Sequence, residues 1–151
     1  MKKICIITGS RAEYGLLKSL IKLFKNSNCH ILQLVATGSH LSEKHGYTIN
    51  EIIKDDFHID YEIDILDGLD NKISISKSIG IGIVKFTDCL SFLKPDLIII
   101  LGDRYEILSA SISAMIQKIP IAHIHGGEIT KGAIDDKIRH SISKMSEFHF
   151  V

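Results

Sequence analysis

Four clusters of polar side chains break the apolar stretches of this sequence, and each follows a run of Ile, Leu, Val or Ala. The first is Gly9, Ser10 and Arg11, with Glu13 behind them. The second is Gly38, Ser39 and His40. The third is Asp103, Arg104 and Glu106. The fourth opens with His125, Gly126, Gly127 and Glu128 and continues to Asp135, Asp136 and Arg139. These residue types suit a definite chemistry. An arginine fork matches the oxygens of a phosphate, and the amides of a turn that opens a helix attract anions. Carboxylates beside arginines can take up or release protons, and a histidine titrates near neutral pH. Metal chemistry is not indicated, because neither H-E-x-x-H nor C-x-x-C occurs.

The elements that must hold these clusters alternate. "KICIIT" (3–8), "HILQLVATG" (30–38), "PDLIIILG" (95–102) and "KIPIAHIHGG" (118–127) are apolar without polar alternation, the pattern of strands buried on both faces of a parallel sheet. "HIDYEIDIL" (58–66) alternates and predicts an edge-like strand. Between them, 12–26 carries an apolar stripe of Leu16, Leu17, Leu20, Ile21 and Phe24, which predicts an amphipathic helix. Helices are also predicted over 73–94, 104–118 and 134–148. Gly80 and Gly82 make the second of these either a closely packed helix or a bent one. Asp135 and Asp136 at the start of the last, with Lys144 near its end, agree with the helix dipole. Strands alternating with helices predict a doubly wound α/β fold with a mostly parallel sheet. In such sheets ligands gather at the carboxyl ends of the strands, where all four clusters lie.

Bulk properties narrow the function classes. A chain of 151 residues, 45% hydrophobic, is one domain with a real core. Eighteen basic and eighteen acidic residues cancel, so the electrostatic footprint of a nucleic-acid or anionic-membrane binder is missing. Cys5, Cys29 and Cys89 are scattered and odd in number, as in a reducing cytoplasm. The apolar part of the N-terminus is too short for a signal peptide, and no stretch approaches the ~20 apolar residues of a membrane span. A soluble, cytoplasmic chain is expected. Its last residues, "EFHFV", have the character of a strand just beginning, which predicts the front part of a longer protein.

Each cluster has a plain structural reading beside the chemical one. "GSRAEYG" has neither the spacing of G-x-G-x-x-G nor the lysine of a P-loop. Arg11 either holds a phosphate or forms a surface ion pair with Glu13 or Glu106. Asp103 is either the cap of the following helix or a group of the site, and both roles can coexist. His123 and His125 share a face if their strand extends that far; His123 then suits a buried structural role and His125 a role in the site. His30, His45, His58 and His149 read as ordinary surface or packing residues.

The segments "SRAEYG", "ATGSHLSEKHGYTINEI", "LGDRYEIL" and "HIHGGEITKGAIDDKIRHSISKMSEFHF", in order along essentially the whole chain, resemble the UDP-N-acetylglucosamine 2-epimerase family. They are most similar to its hydrolysing branch, which opens bacterial sialic acid and nonulosonate biosynthesis. The resemblance implies a two-domain GT-B architecture with the active site between two Rossmann-like domains. This chain would be the N-terminal one (1–151). The absent half would supply much of the uridine diphosphate contact and a further catalytic histidine. The implied reaction removes the C2 proton of the sugar, expels UDP to leave a glycal, and adds water. It uses no metal or redox cofactor.

Carried over residue by residue, Arg11 matches an arginine that helps hold the diphosphate, on a loop with Gly9 and Ser10, while Glu13 positions that loop. Arg104 matches a UDP contact of the hydrolysing branch. Asp103 and Asp135 match the acid and base in undetermined order, and Arg139 the arginine that orients Asp135 or meets the substrate. Two departures stand out. His125 takes the place of a catalytic glutamate found in some relatives, with Glu128 as a possible substitute. Leu16 replaces a lysine of the non-hydrolysing branch, which favours the hydrolysing reading. The helices 104–118 and 73–94 offer surfaces for a homo-oligomer of the full-length protein. The rival readings are a truncated, non-catalytic nucleotide-sugar binder or partner subunit, a glycosyltransferase front domain, and a dehydrogenase domain.

Overall fold

The computed structural model describes residues 1–65, 71–127 and 134–151. Six strands form one sheet in the order β3-β2-β1-β4-β5-β6, every pairing parallel. They are β1 (Lys2–Thr8), β2 (His30–Thr37), β3 (Tyr61–Ile63), β4 (Leu97–Leu101), β5 (Ile121–Ile124) and β6 (Phe148–Phe150). The alternating segment is indeed the edge strand β3, and the closing apolar residues do form β6.

Side-chain alternation sorts the core into two layers. Ile4, Ile6, Leu34, Ala36, Ile99 and Leu101 face α1 (Arg11–Lys25) and α2 (Ile49–Lys54). Cys5, Ile7, Val35, Ile98 and Ile100 face α3 (Lys72–Leu93), α4 (Tyr105–Ile116) and α5 (Ile134–Met145). Both faces of the central strands are therefore apolar, which is why their sequences show no alternation. Each fully buried Ile or Leu contributes about 2 kcal/mol. Two short 3-10 turns, Gly38–Leu41 and Glu43–His45, precede α2; neither they nor α2 were expected from the sequence.

The glycine pair in α3 causes no break: the helix runs through it. A Cβ at Gly82 would lie 2.7 Å from Ser109 Oγ, whereas one at Gly80 would meet nothing within 4 Å. Close packing of α3 on the small-residue face of α4 is thus the answer at Gly82. Gly82→Val is expected to cost 1–3 kcal/mol by overpacking, lowering Tm by roughly 3–10 °C. Gly80→Ala is expected to raise stability by about 0.5–1 kcal/mol. Paired melting curves check both.

Candidate active site

The sheet order reverses between β1 and β4, so the loops after these two strands diverge and leave a crevice at their carboxyl ends. In the β1–α1 loop, Ser10 caps α1 and accepts a hydrogen bond from the Glu13 amide at 3.3 Å. Glu13 reaches back and accepts from the Gly9 amide at 2.6 Å. This is a capping box displaced by one residue, and Ser10-x-x-Glu13 is its sequence signal. Glu13 does position the loop, as expected. Its side chain is buried, and its Oε1 has no partner among the described residues. Burial, reinforced by the charge of Glu106, pushes the Glu13 carboxyl up to about 7 against the opposing effects of the Gly9 amide and Arg104.

Arg11 pairs with neither Glu13 nor Glu106; its Nε lies 3.1 Å from Glu51 Oε1 on α2, with 73% of the side chain exposed. So open a pair is worth ~0–1 kcal/mol and leaves the guanidinium at the crevice able to exchange partners.

The turn after β2 locks onto this loop. The Ser39 amide and hydroxyl both donate to the Gly9 carbonyl, each at 3.0 Å. His40 is fully buried and hydrogen-bonds Thr8 Oγ1 at 2.9 Å and Thr48 Oγ1 at 2.8 Å through its two ring nitrogens. Burial, the largest influence, pulls its pKa down to about 4.

These two groups bias stability in opposite directions. Glu13 favours the folded state below its ordinary value of 4.5, and that contribution is lost as pH rises to about 7. His40 contributes above its ordinary 6.5, and its contribution is lost as pH falls towards about 4. Relative to wild type, Glu13→Gln is therefore expected to gain about 2–3 kcal/mol as pH rises through that window. His40→Gln, destabilised throughout, is expected to recover as pH falls. Denaturant melts across pH 4–8 read both slopes.

After β4, the sequence expectation for Asp103 needs correction. The helix starts at Tyr105 with Arg104 at the N-cap, so Asp103 caps nothing. Its carboxylate instead receives Nη2 of Arg139, 36 residues away on α5. Arg139 is 7% exposed and Asp103 25%. Arg139 Nη1 also lies 3.7 Å from Asp136. Asp135, the residue Arg139 was expected to orient, is exposed on the first turn of α5 and contacts neither group among the described residues. Arg104 is held by buried Glu106, with Nε 3.2 Å from both carboxylate oxygens and Nη2 2.9 Å from Oε1. Burial lowers the guanidinium pKa, but Glu106 and then Glu13 outweigh that and leave it raised.

The two histidines of β5 do not share a face. The strand ends at Ile124, and His125 turns away in the left-handed region at φ 59°. His123 is buried, hydrogen-bonded to the Gly102 carbonyl at 2.7 Å and to Ser143 Oγ at 3.0 Å. Its burial lowers its pKa. It is the structural histidine expected, and it pins the backbone just before Asp103. His125 is exposed, its amide donating to the Phe150 carbonyl at 2.8 Å. Glu128 lies outside the described residues. Among the described residues, no helix is long and apolar enough to cross a membrane, and no three His, Cys, Asp or Glu could together hold a metal ion.

The crevice thus presents an Asp–Arg pair, a second arginine gripped by a buried glutamate, and a helix-opening turn carrying a third arginine. Such an arrangement on a doubly wound sheet defines a Rossmann-like domain with paired acidic and basic groups at its β1/β4 crevice. The family model described as UDP-N-acetylglucosamine 2-epimerase matches residues 22–151. A hydrolysing GDP/UDP-N,N'-diacetylbacillosamine 2-epimerase of Campylobacter jejuni is 49% identical over 150 residues, 99% of this chain and 39% of that protein. A hydrolysing UDP-N,N'-diacetylbacillosamine 2-epimerase of Legionella pneumophila is 40% identical over 151 residues, with 100% and 40% covered. The solved UDP-GlcNAc 2-epimerase from Neisseria meningitidis bound to UDP-GlcNAc shares the fold at a TM-score of 0.83 and 24% identity, over 100% of this chain and 40% of that one. The chain belongs to the UDP-N-acetylglucosamine 2-epimerase family, and it spans about 40% of the length of the curated relatives it matches.

Proposed function

We propose that residues 1–151 are the N-terminal Rossmann-like domain of a two-domain, GT-B-type, cytoplasmic enzyme that hydrolyses and epimerises a UDP-N-acetylated hexosamine. The observation that carries this reading is the Asp103–Arg139 pair beside Arg104 at the β1/β4 crevice. Such an aspartate is fixed in direction and adjoins groups that can hold a diphosphate. In the reaction, a base removes the C2 proton, the C2–H electrons form the C1=C2 bond, and the C1–O bond to UDP breaks. Water then adds at C1 while C2 is reprotonated on the other face. Asp103 and Asp135 are the acid and base, with Arg139 orienting Asp103. His125 and Glu128 are the further proton carriers at the rim. Gly9, Ser10, Arg11 and Arg104 hold the UDP. The names of the two relatives favour the N,N'-diacetylbacillosamine nucleotide over UDP-N-acetylglucosamine as substrate. A homo-oligomer through the outer face of α3, where Ile73, Val84 and Phe92 are exposed, completes the reading.

The test is chromatography of the full-length gene product incubated with each nucleotide sugar in turn. Free UDP from the diacetamido sugar, faster than from UDP-N-acetylglucosamine, supports the reading. Two intact nucleotide sugars contradict it and favour a non-catalytic nucleotide-sugar binder.

A further inference from the structure

Glu106 is fully buried in the first turn of α4, although the residue types around it read as a surface pair. A carboxylate taken wholly out of water must be matched by a partner of fitting geometry. Here both of its oxygens face the Arg104 guanidinium, in contacts of 2.9–3.2 Å from Nε and Nη2. The turn after β2 has made room for it. Gly38 adopts φ 61°, and a Cβ there would collide with the Glu106 carboxylate as well as lie 2.8 Å from the Gly9 carbonyl oxygen. On the other side, a Cβ at Gly9 would lie 3.2 Å from Glu13 Oε2 and 3.8 Å from Glu106 Cβ. The loops after β1, β2 and β4 therefore close around a single cation and two carboxyl groups.

We infer that Glu106 is a positioning residue that fixes the direction of Arg104, so that the guanidinium edge it leaves uncovered meets an anionic group of the nucleotide at the β1/β4 crevice. This inference rests on the nucleotide-sugar reading of the site. Three features carry it. Glu106 occupies Nε and Nη2, while Nη1 has no acceptor among the described residues. Arg104 is 41% exposed while its partner is wholly covered. A glycine with positive φ is required where Glu106 fits. An arginine needed only for charge would require no such fork. One whose direction matters does, because a guanidinium recognises phosphate oxygens only in its own plane.

The test is calorimetric binding of UDP to the full-length protein carrying Glu106→Gln, Arg104→Gln or both, with melting curves alongside. Glu106→Gln is expected to weaken UDP binding by about 10-fold. In the Arg104→Gln background the same change is expected to have almost no effect on UDP binding and to recover part of the Tm, because it neutralises a buried carboxylate left without its partner. Arg104→Lys, which leaves Glu106 in place and keeps the charge, is expected to lose about as much affinity as Glu106→Gln. Equal losses from Glu106→Gln in both backgrounds would make Glu106 merely structural and overturn the inference, as would full affinity in Arg104→Lys. A wild-type protein that binds UDP but releases none from either sugar contradicts only the catalytic reading. One that binds no UDP contradicts both.

Discussion

Asp103→Asn is expected to lower kcat/KM of the full-length protein for its UDP-sugar by about 100- to 10,000-fold, the range lost when a positioned acid or base is removed. The substitution is nearly isosteric, and its amide oxygen can still accept from Arg139, so the fold is retained. What disappears is the carboxyl group's capacity to take up or release a proton next to the arginine that holds the side chain. Because the loss falls on the chemical step, kcat is expected to fall while UDP affinity stays within a few-fold of wild type. Steady-state kinetics with a matched UDP-binding measurement separates the two. An Asp103→Asn enzyme with ordinary kcat would exclude Asp103 as acid or base.

Arg139→Gln carries the second large effect, and it acts on stability as well as rate. Arg139 is nearly covered and joins α5 to the end of β4 through Asp103, with Asp136 at its other edge. Removing it takes the guanidinium away from both the Asp103 and the Asp136 carboxylates. Breaking a buried pair costs 3–5 kcal/mol. Because both carboxylates are about a quarter exposed, roughly 2–3 kcal/mol is expected, a Tm loss of about 4–12 °C for a domain of this size. Combined with Asp103→Asn, the effects on both Tm and kcat are expected to be strongly non-additive, since the two residues act as one unit. Simple additivity would mean that the contact has no energetic or catalytic consequence.

The fold was largely legible because its signals are local. Ile98, Ile99 and Ile100, β-branched and bounded by Pro95 and Gly102, favour a strand buried on both faces, and the alternation in 58–66 marks the edge strand β3. The helix α2 lacks a sequence signal for a local reason too: six residues with only Ile49 and Ile52 buried are too few to show a period. The site was legible in its composition and opaque in its pairings. Glu13 and Glu106 each stand near a helix start, where acids are usually solvated, and become buried only because three loops converge. Asp103 meets Arg139 across 36 residues, a contact that no spacing rule contains. His125 falls beyond the condition for a shared face, since β5 ends at Ile124 and a left-handed turn at His125 ends the alternation.

The uncovered half of the sheet has a different character. A hollow of about 400 Å³ on the α1 side is lined by Leu20, Phe24, Leu97, Ile99, Ala122, Ile124, Phe148 and Phe150. It contains none of the charged groups described above, and it has no part in the proposed chemistry.

This crevice is proposed to help move a proton at C2 of a UDP-sugar. Proton NMR of the full-length gene product in D2O, with UDP-N,N'-diacetylbacillosamine and then UDP-N-acetylglucosamine, tests it most directly. The expected result is free UDP together with a released 2-epimeric sugar whose C2 carries deuterium. Release of a sugar that keeps its C2 proton and its original configuration would contradict the claim, because the bond to UDP would then break without the elimination proposed for Asp103 and its partners.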